Sequence, residues 1–453
     1  VSTDESLEKL TGDLRSREGL PHIHVEKGAL ARPGFFSPWM VGMAGRQVLA
    51  QLGQADIILS GEPEITFFKE KYVAQGLFAS RVIDVSFENA PQYGTDTFTT
   101  LPLNGDLMTA MFLRFDLNVP QGLTDFLPQA GLLMVDFVEL YSGMQLVERL
   151  WGEYISLLNG CEVPTAQQSG LTNITGPNIP GAVYIPSTRY TVPLPFSCLA
   201  KGLPVVPDMR FRVVLRPSSA FTSPSINSTL NMQFHFLVEY VVLSEKERDW
   251  IRKRGPITYV CESIQRAEYT VPTTTANVRC VTNFLHPIKE LFFTVKNQVS
   301  AQGYDYWYDY SNSSAVSTTT LGFSAAFANV NQLNSMAMYF NEALRIDPTW
   351  GTYLYLGTAQ FLDYHTRVPL RPYYMYSFSL DPEGSRPAGS VNFGRLKNQY
   401  FDFFLKPLPA WNLQPRILTI WARHYTFLEV NGFESIKNQF DNSGDDGYIL
   451  NLP

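Results

Sequence analysis

The sequence predicts an all-β protein: two consecutive sandwich or jelly-roll modules joined by one short helix. Three observations lead there. Charged side chains make up only 17 % of the 453 residues while aromatics reach 13 %, against about 25 % charged in an ordinary globular domain. That leaves little material for charged helix faces, and it sets aside coiled coils, helical arrays and disorder. From Ile57 onward, short runs of β-branched and aromatic residues are punctuated by Gly, Pro, Asn and Asp, the pattern of strands and turns. One capped helix pattern interrupts this at Ser244. No period near 40 residues recurs, which disfavours a propeller.

Residues 1–50 stand apart. The charged segment 2–17 places Leu7, Leu10 and Leu14 at spacings of three and four, one face of a helix. Ser2 or Thr3 would cap it, and Arg15 and Arg17 fall in its last turn. This predicts an N-terminal arm that packs on a partner or on the underside of the main body.

The first β module is placed at 51–243. Its strand candidates are 64–68, 79–87, 108–117, 132–141, 211–215 and 232–243. The last alternates as MQFHFLVEY and ends wholly apolar, as a buried strand does. Pro63 suits the start of the first, because it fixes φ and donates no hydrogen bond. The helix is placed at 244–256. Ser244 and Glu247 fit a capping box, and Asp249 stands at helical spacing from Arg252 and Lys253. The basic trio Arg252, Lys253 and Arg254 complements the C-terminal dipole, and Gly255 with Pro256 ends the element. A lone helix between two long β regions reads as an interdomain connector.

The second module is placed at 257–440, with strand candidates at 257–265, 288–296, 352–356, 373–380, 400–405 and 416–430. Pro382, Gly384, Pro387 and Gly389 predict a rigid turn before a strand at Val391. Two polar, low-charge segments, 159–186 and 298–320, read as loops, and loops of that length are uncommon in compact domains unless they have a role. Residues 441–453 read as a C-terminal tail.

The chemistry of catalysis is absent. No phosphate-binding, dinucleotide-binding or nucleophile-elbow glycine motif occurs. His22 and His24 could place two imidazoles on one face of a strand, but they lie in the arm and no third ligand follows. The segment DNSGDDG (441–447) departs from the calcium-loop pattern at its sixth position, held by Asp446, and Leu452 stands where that pattern closes on Glu. It reads as solvated acid. No metal, cofactor or catalytic residue is expected. Cys161, Cys198, Cys261 and Cys280 are far apart and read as four reduced structural thiols. A net charge of −7 with no basic stripe argues against direct contact with nucleic acid. No apolar run reaches the roughly 18 residues of a membrane span, and no signal-peptide pattern is present. Sequons at Asn173, Asn227 and Asn312 are candidate glycosylation positions. Tyr304, Tyr306, Trp307 and Tyr308 form an aromatic loop suited to an interface core or to stacking on sugars.

The ordered segments resemble a known family. DIILSGEPEITFFKEKY (56–72), LNGDLMTAMFLRFDL (103–117), VELYSGMQLVERLWGEY (138–154), VPLPFSCLAKGLPVVPDMRFRVVL (192–215) and FLVEYVVLSEKERDWI (236–251) are similar, in order, to segments of the major capsid proteins of nucleocytoplasmic large DNA viruses. So are NFLHPIKELFFTV (283–295), YMYSFSLDPEGSRPAGSVNFGRLKN (374–398) and ILTIWARHYTFLEVNGFESI (417–436). The resemblance runs from Asp56 to Glu434. The chain departs from it at Ala388 and Gly394, where Ser is usual, and residues 1–50 have no counterpart in it.

The resemblance implies two eight-stranded jelly rolls side by side, and a structural protein rather than an enzyme. It further implies a homotrimeric, pseudo-hexagonal capsomer that tiles an icosahedral shell, assembled in the host cytoplasm and resident in the virion. The expected partners are the chain itself, neighbouring capsomers and minor capsid proteins, with the internal membrane as a contact for the arm. Arg395 and Asn398 are candidate subunit contacts. Two rival readings are a minor capsid, vertex or scaffold protein of the same lineage, and a carbohydrate-binding β-sandwich using the aromatic loop.

Overall fold

The computed structural model describes residues 76–118, 129–176, 189–221, 231–297, 310, 331–408, 415–439 and 448–451. The arm, the opening segment 56–72 with its predicted strand, most of 298–320 and the acidic segment 441–447 lie outside these residues.

The first module contains β1 (Phe78–Val85), β2 (Asp96–Thr100), β3 (Leu107–Asn118), β4 (Val135–Ser142), β5 (Gln145–Trp151), β6 (Arg189–Pro193), β7 (Leu203–Pro204), β8 (Met209–Leu215) and β9 (Asn231–Leu243). Its larger sheet has the order β1-β9-β3-β6, with β7 on β3, and its smaller sheet is β2-β8-β4-β5. First thus pairs with last, second with last but one, and so inward. That is one long antiparallel hairpin rolled into two facing sheets, the jelly-roll topology. In β8, Met209, Phe211, Val213 and Leu215 are buried while Arg210 is exposed and Arg212 and Val214 half-buried, the alternation of a strand with one face on a core.

The second module repeats the plan with β10 (Ile257–Val271), β11 (Asn277–Val281), β12 (Pro287–Asn297), β13 (Leu333–Phe340), β14 (Ala343–Ile346), β15 (Tyr374–Ser377), β16 (Val391–Asn392), β17 (Gln399–Leu405), β18 (Arg416–Asn431), β19 (Ser435–Asn438) and β20 (Tyr448–Asn451). Its sheets run β15-β12-β18-β10-β20, with β16 on β12 and β19 on β18, and β11-β17-β13-β14. Among the described residues the modules hold nine and eleven strands rather than eight each. The surplus consists of the short β7, β16, β19 and β20 at sheet margins. β20 pairs in parallel with Ala267–Thr270, so the end of the expected tail is part of a sheet.

The connector is helix α4 (Glu245–Lys253), named here with α1 (Ala130–Leu133), α2 (Gly152–Cys161), α3 (Gln168–Thr175) and α5 (Gln360–Tyr364). The Ser244 hydroxyl accepts from the Glu247 amide as the capping box predicts, and Gly255 turns the chain at φ +78 just past the helix, a conformation glycine adopts without steric cost.

Three expectations are corrected. Residues 352–356 are not a strand: Leu356 N–H bonds Thr352 O, and a π-turn over Tyr355–Ala359 runs into α5. The run TYLYL has strand composition, but the buried Leu356, Gln360 and Phe361 recur at helical spacing. Leu132 and Leu133 belong to α1 rather than to β4. The segment 159–186 is not simply a loop, since its described part holds the end of α2, a 3-10 turn at Thr165–Gln167 and α3.

The intermodule seam and candidate assembly surfaces

β12 is buried along nearly its whole length. One face (Leu291, Phe293, Val295) joins the second module's own core with Ile420 and Leu418 of β18. The other, with Phe292, joins a cluster that also contains Trp421, Ile264, Met375 and nearly all the described core of the first module. The outer face of the second module's larger sheet is therefore covered by the first module, through β5, α2 and the turn Ser197–Leu199. Trp421 meets Trp151 at 5.5 Å and Tyr154 at 5.7 Å between ring centroids, and Tyr154 meets Phe292 at 6.2 Å. Gly152 lets α2 start where it does: a Cβ there would stand 2.2 Å from Val135 O.

Charges are built into this apolar seam, and a buried charge must be paired. Arg423 of β18 reaches Glu262 of β10 at 2.5 Å, Glu290 of β12 at 2.8 Å and, across the seam, Glu162 after α2 at 2.5 Å. Lys289 pairs with Glu262 and donates to Pro382 O at 2.5 Å. His365 faces Glu383 through Nδ1 at 2.8 Å and Glu290 through Nε2 at 3.1 Å; two acceptors on two ring nitrogens call for the imidazolium. Burial works against its charge, yet Cys161, Glu290 and Glu383 together push it up to about 12. Burial likewise works against the Glu290 carboxylate, but Arg423, His365 and Lys289 prevail and bring it down to about 2. A second pair crosses the seam where Lys296 of β12 meets Glu153 of α2 at 3.0 Å, with Tyr310 donating to the same carboxylate at 2.7 Å. Burial opposes this carboxylate too, and Lys296, Arg266 and Arg216 outweigh it, to about 2.

Neutral hydrogen bonds complete the join. Gln145 and the Asn438 backbone exchange bonds at 3.2 and 3.0 Å, and Asn438 donates to Leu146 O at 3.2 Å. Arg367 donates to Gly160 O and its amide to Cys161 O, each at 2.9 Å.

Two other outer faces are left uncovered among the described residues. The larger sheet of the first module presents Phe78 and Val82, 58 % and 57 % exposed, beside a polar group in which Asp84 meets His235 at 2.5 Å and Asp116 pairs with Arg114 and with Arg189 at 2.7 Å. The smaller sheet of the second module presents Val281, 53 % exposed. Beside it Tyr339 stacks on Tyr400 at 4.6 Å and Arg279 forks onto Asp402 at 2.7 Å while lying 4.5 Å over Tyr400.

Residues 247–412 match the family model of the large eukaryotic DNA virus major capsid protein. Over 78 % of its length the chain is 25 % identical to the major capsid protein of Pyramimonas orientalis virus, covering 90 % of that protein, and 25 % identical to that of Paramecium bursaria Chlorella virus 1, covering 85 % of it. Over most of its length the chain is similar to this capsid family. In fold it matches the chain of the PBCV-1 virus capsid model with a TM-score of 0.68 at 20 % identity, covering 83 % of this chain and all of that one. It matches the Faustovirus major capsid protein with a TM-score of 0.64 at 10 % identity, over 85 % and 96 %. These neighbours fix the fold as the double jelly roll of capsid proteins. The chain is a structural protein of the virion shell, not an enzyme.

Of the positions singled out in the sequence of this capsid chain, Asn173 is exposed on α3, but the Thr175 of its sequon is buried and donates to Leu171 O at 2.8 Å. Arg395 is exposed at the end of the 3-10 turn Phe393–Arg395. Asn398 is exposed, and its amide and carbonyl bond Asn341. Asn227, Asn312, Tyr304, Tyr306, Trp307 and Tyr308, like His22 and His24, lie outside the described residues. Among the described residues no cluster of His, Cys, Asp and Glu is arranged to hold a metal. The seam residues Lys289, Glu290 and Arg423 carried a signal that was not used: a charge inside a run that otherwise reads as buried strand, as in IKELFFTV and LTIWARHYTF, needs a partner.

Proposed function

We propose that this capsid chain acts as the major shell subunit, forming a homotrimer whose six jelly rolls make a pseudo-hexagonal capsomer that tiles the shell. The observation that carries this reading is the asymmetry of the seam. Inside one chain, an edge of a smaller sheet is set against the outer face of a larger sheet. At the chain's two ends the complementary pair is left open, a larger sheet on the first module and a smaller sheet on the second. A contact between unlike faces, repeated between chains, closes into a ring when the rotation allows, and three chains of two modules place six similar seams around it. Trimer contacts of the obligate kind bury more than about 2,000 Å², and the exposed Phe78, Val82 and Val281 supply apolar area for them. Modules bounded at 51–243 and 257–440 are the units of this scheme, and the exposed Arg395 and Asn398 are its candidate contacts between subunits.

Assembly in the host cytoplasm, contacts with minor capsid proteins and a membrane-facing role for residues 1–50 accompany this reading. Native mass measurement of the purified chain tests it. A trimer that Val82→Glu or Val281→Glu dissociates into folded monomers is the expected result; a wild-type monomer at micromolar concentration refutes it. Copy number in purified particles separates a major from a minor shell role.

A further inference from the structure

Glu148 on β5 is buried, and among the described residues no cation is paired with its carboxylate. Its ligands come from one turn: Ser197 N donates to Oε1 at 2.9 Å, Cys198 N donates to Oε2 at 3.1 Å, and Ser197 Oγ lies 3.2 Å from Oε2. The same Oγ spans the seam. It accepts from Glu262 N at 2.8 Å and lies 2.9 Å from Glu262 O, capping the free edge of β10 at that residue. A hydroxyl has one proton and two lone pairs. When Glu148 is protonated, its O–H donates to Ser197 Oγ, which donates to Glu262 O and accepts from Glu262 N, and every group is satisfied. When Glu148 is ionised, its carboxylate, still held by the Ser197 and Cys198 amides, competes with the Glu262 carbonyl for the single hydroxyl proton; the carbonyl loses that bond, and the Glu262 N–H to Ser197 Oγ bond is left to hold this edge alone and opens more often.

We propose that Glu148 and Ser197 form a proton-coupled latch across the intermodule seam, closed while Glu148 holds its proton and loosened when the proton leaves. The surroundings favour a proton held near neutrality. Burial raises the Glu148 carboxyl to about 7 against the lowering effect of the Ser197 and Cys198 donors. The titratable groups facing it are the thiols of Cys198 on the same turn and Cys261 on β10, both pushed up by burial and therefore neutral. The charges beyond are Glu262, already held by Lys289 and Arg423, and Lys201, which acts on Cys261. The folded chain binds this proton more tightly than the unfolded chain does. The latch is therefore fully closed in acid and is lost as the pH rises through about 7. The inference concerns the single chain and goes beyond the capsomer reading; it holds or fails independently of trimer formation.

The test combines two readouts on the full chain. Infrared difference spectra, with Glu148→Gln identifying the band, follow the protonated carboxyl. Hydrogen exchange, corrected for intrinsic rate, follows the Glu262 amide. A carboxyl titrating near neutral pH is expected, with Glu262 protection falling roughly five- to tenfold between about pH 5 and about pH 8, the scale of one hydrogen bond. In Ser197→Ala the protection is expected to be low and independent of pH. A carboxyl that titrates below about pH 5, a flat wild-type protection profile, or an equal fall in Ser197→Ala overturns the proposal.

Discussion

Replacing Arg423 by Met keeps the aliphatic bulk and deletes the cation. Four carboxylates then face two cations: Glu162, Glu262, Glu290 and Glu383 against Lys289 and the His365 imidazolium. Glu290 suffers most, because its side chain is fully buried, whereas Glu162 is 26 % exposed and can recover water. Breaking a buried ion pair by removing one partner costs about 3–5 kcal/mol, and the lower half of that range is expected here because His365 stays at 3.1 Å from Glu290. The pH dependence has a definite sign. In the wild type the Glu290 carboxyl sits near 2 against an ordinary 4.5, so its contribution is present above about 4.5 and is lost as the pH falls toward 2. In Arg423→Met the main lowering charge is gone and burial raises the same carboxyl, so acidification from about pH 7 to about pH 5 narrows the gap to wild type. Urea denaturation at the two pH values, run as a double-mutant cycle with Glu290→Gln, measures this. The double variant is expected to recover at least about 1 kcal/mol relative to additivity. A single variant within about 0.5 kcal/mol of wild type, or strictly additive effects, refutes the reasoning.

Trp421→Ala removes the ring that meets Trp151 and Tyr154; a loss of about 3–5 kcal/mol is expected, with calorimetry resolving two transitions where the wild type shows one. Gly152→Ala forces a Cβ against the Val135 and Leu132 carbonyls, so a fall of several degrees in Tm or insoluble expression is expected, whereas Gly170→Ala, with open space around it and an ordinary backbone conformation, is expected to stay soluble. Ser244→Ala deletes the cap of α4 and is expected to cost about 1 kcal/mol by denaturation, leaving the mass of the assembled particle unchanged.

The connector and most long strands were legible in the sequence because each has one face on a core and the other toward water, or a punctuated end. Ser244, Glu247 and Gly255 mark α4, and the alternation in β8 and β17 marks their inner faces. α2 was not legible for the opposite reason: all ten of its residues are buried, so no polar face reveals the helical period, and Trp151 gives it no side-chain cap. The seam was hidden because it joins residues more than a hundred positions apart, such as Glu162 and Arg423. Composition reports that a strand is buried, but not that its second face is buried against another module.

That two-sided burial has a consequence for synthesis. The first module's described strands end at Leu243, well ahead of β12 and β18 in the chain, so they can emerge and pair before those two strands do, and domains made first generally fold first. When β12 and β18 arrive, a finished surface waits for Phe292, Trp421 and Arg423. A chain permuted so that residues 257–439 came first would hold those side chains against water until the rest was made, an invitation to aggregate. The order of the two modules along the gene is thus part of how the chain reaches its fold, and a permuted gene compared with the natural one for soluble yield would show it.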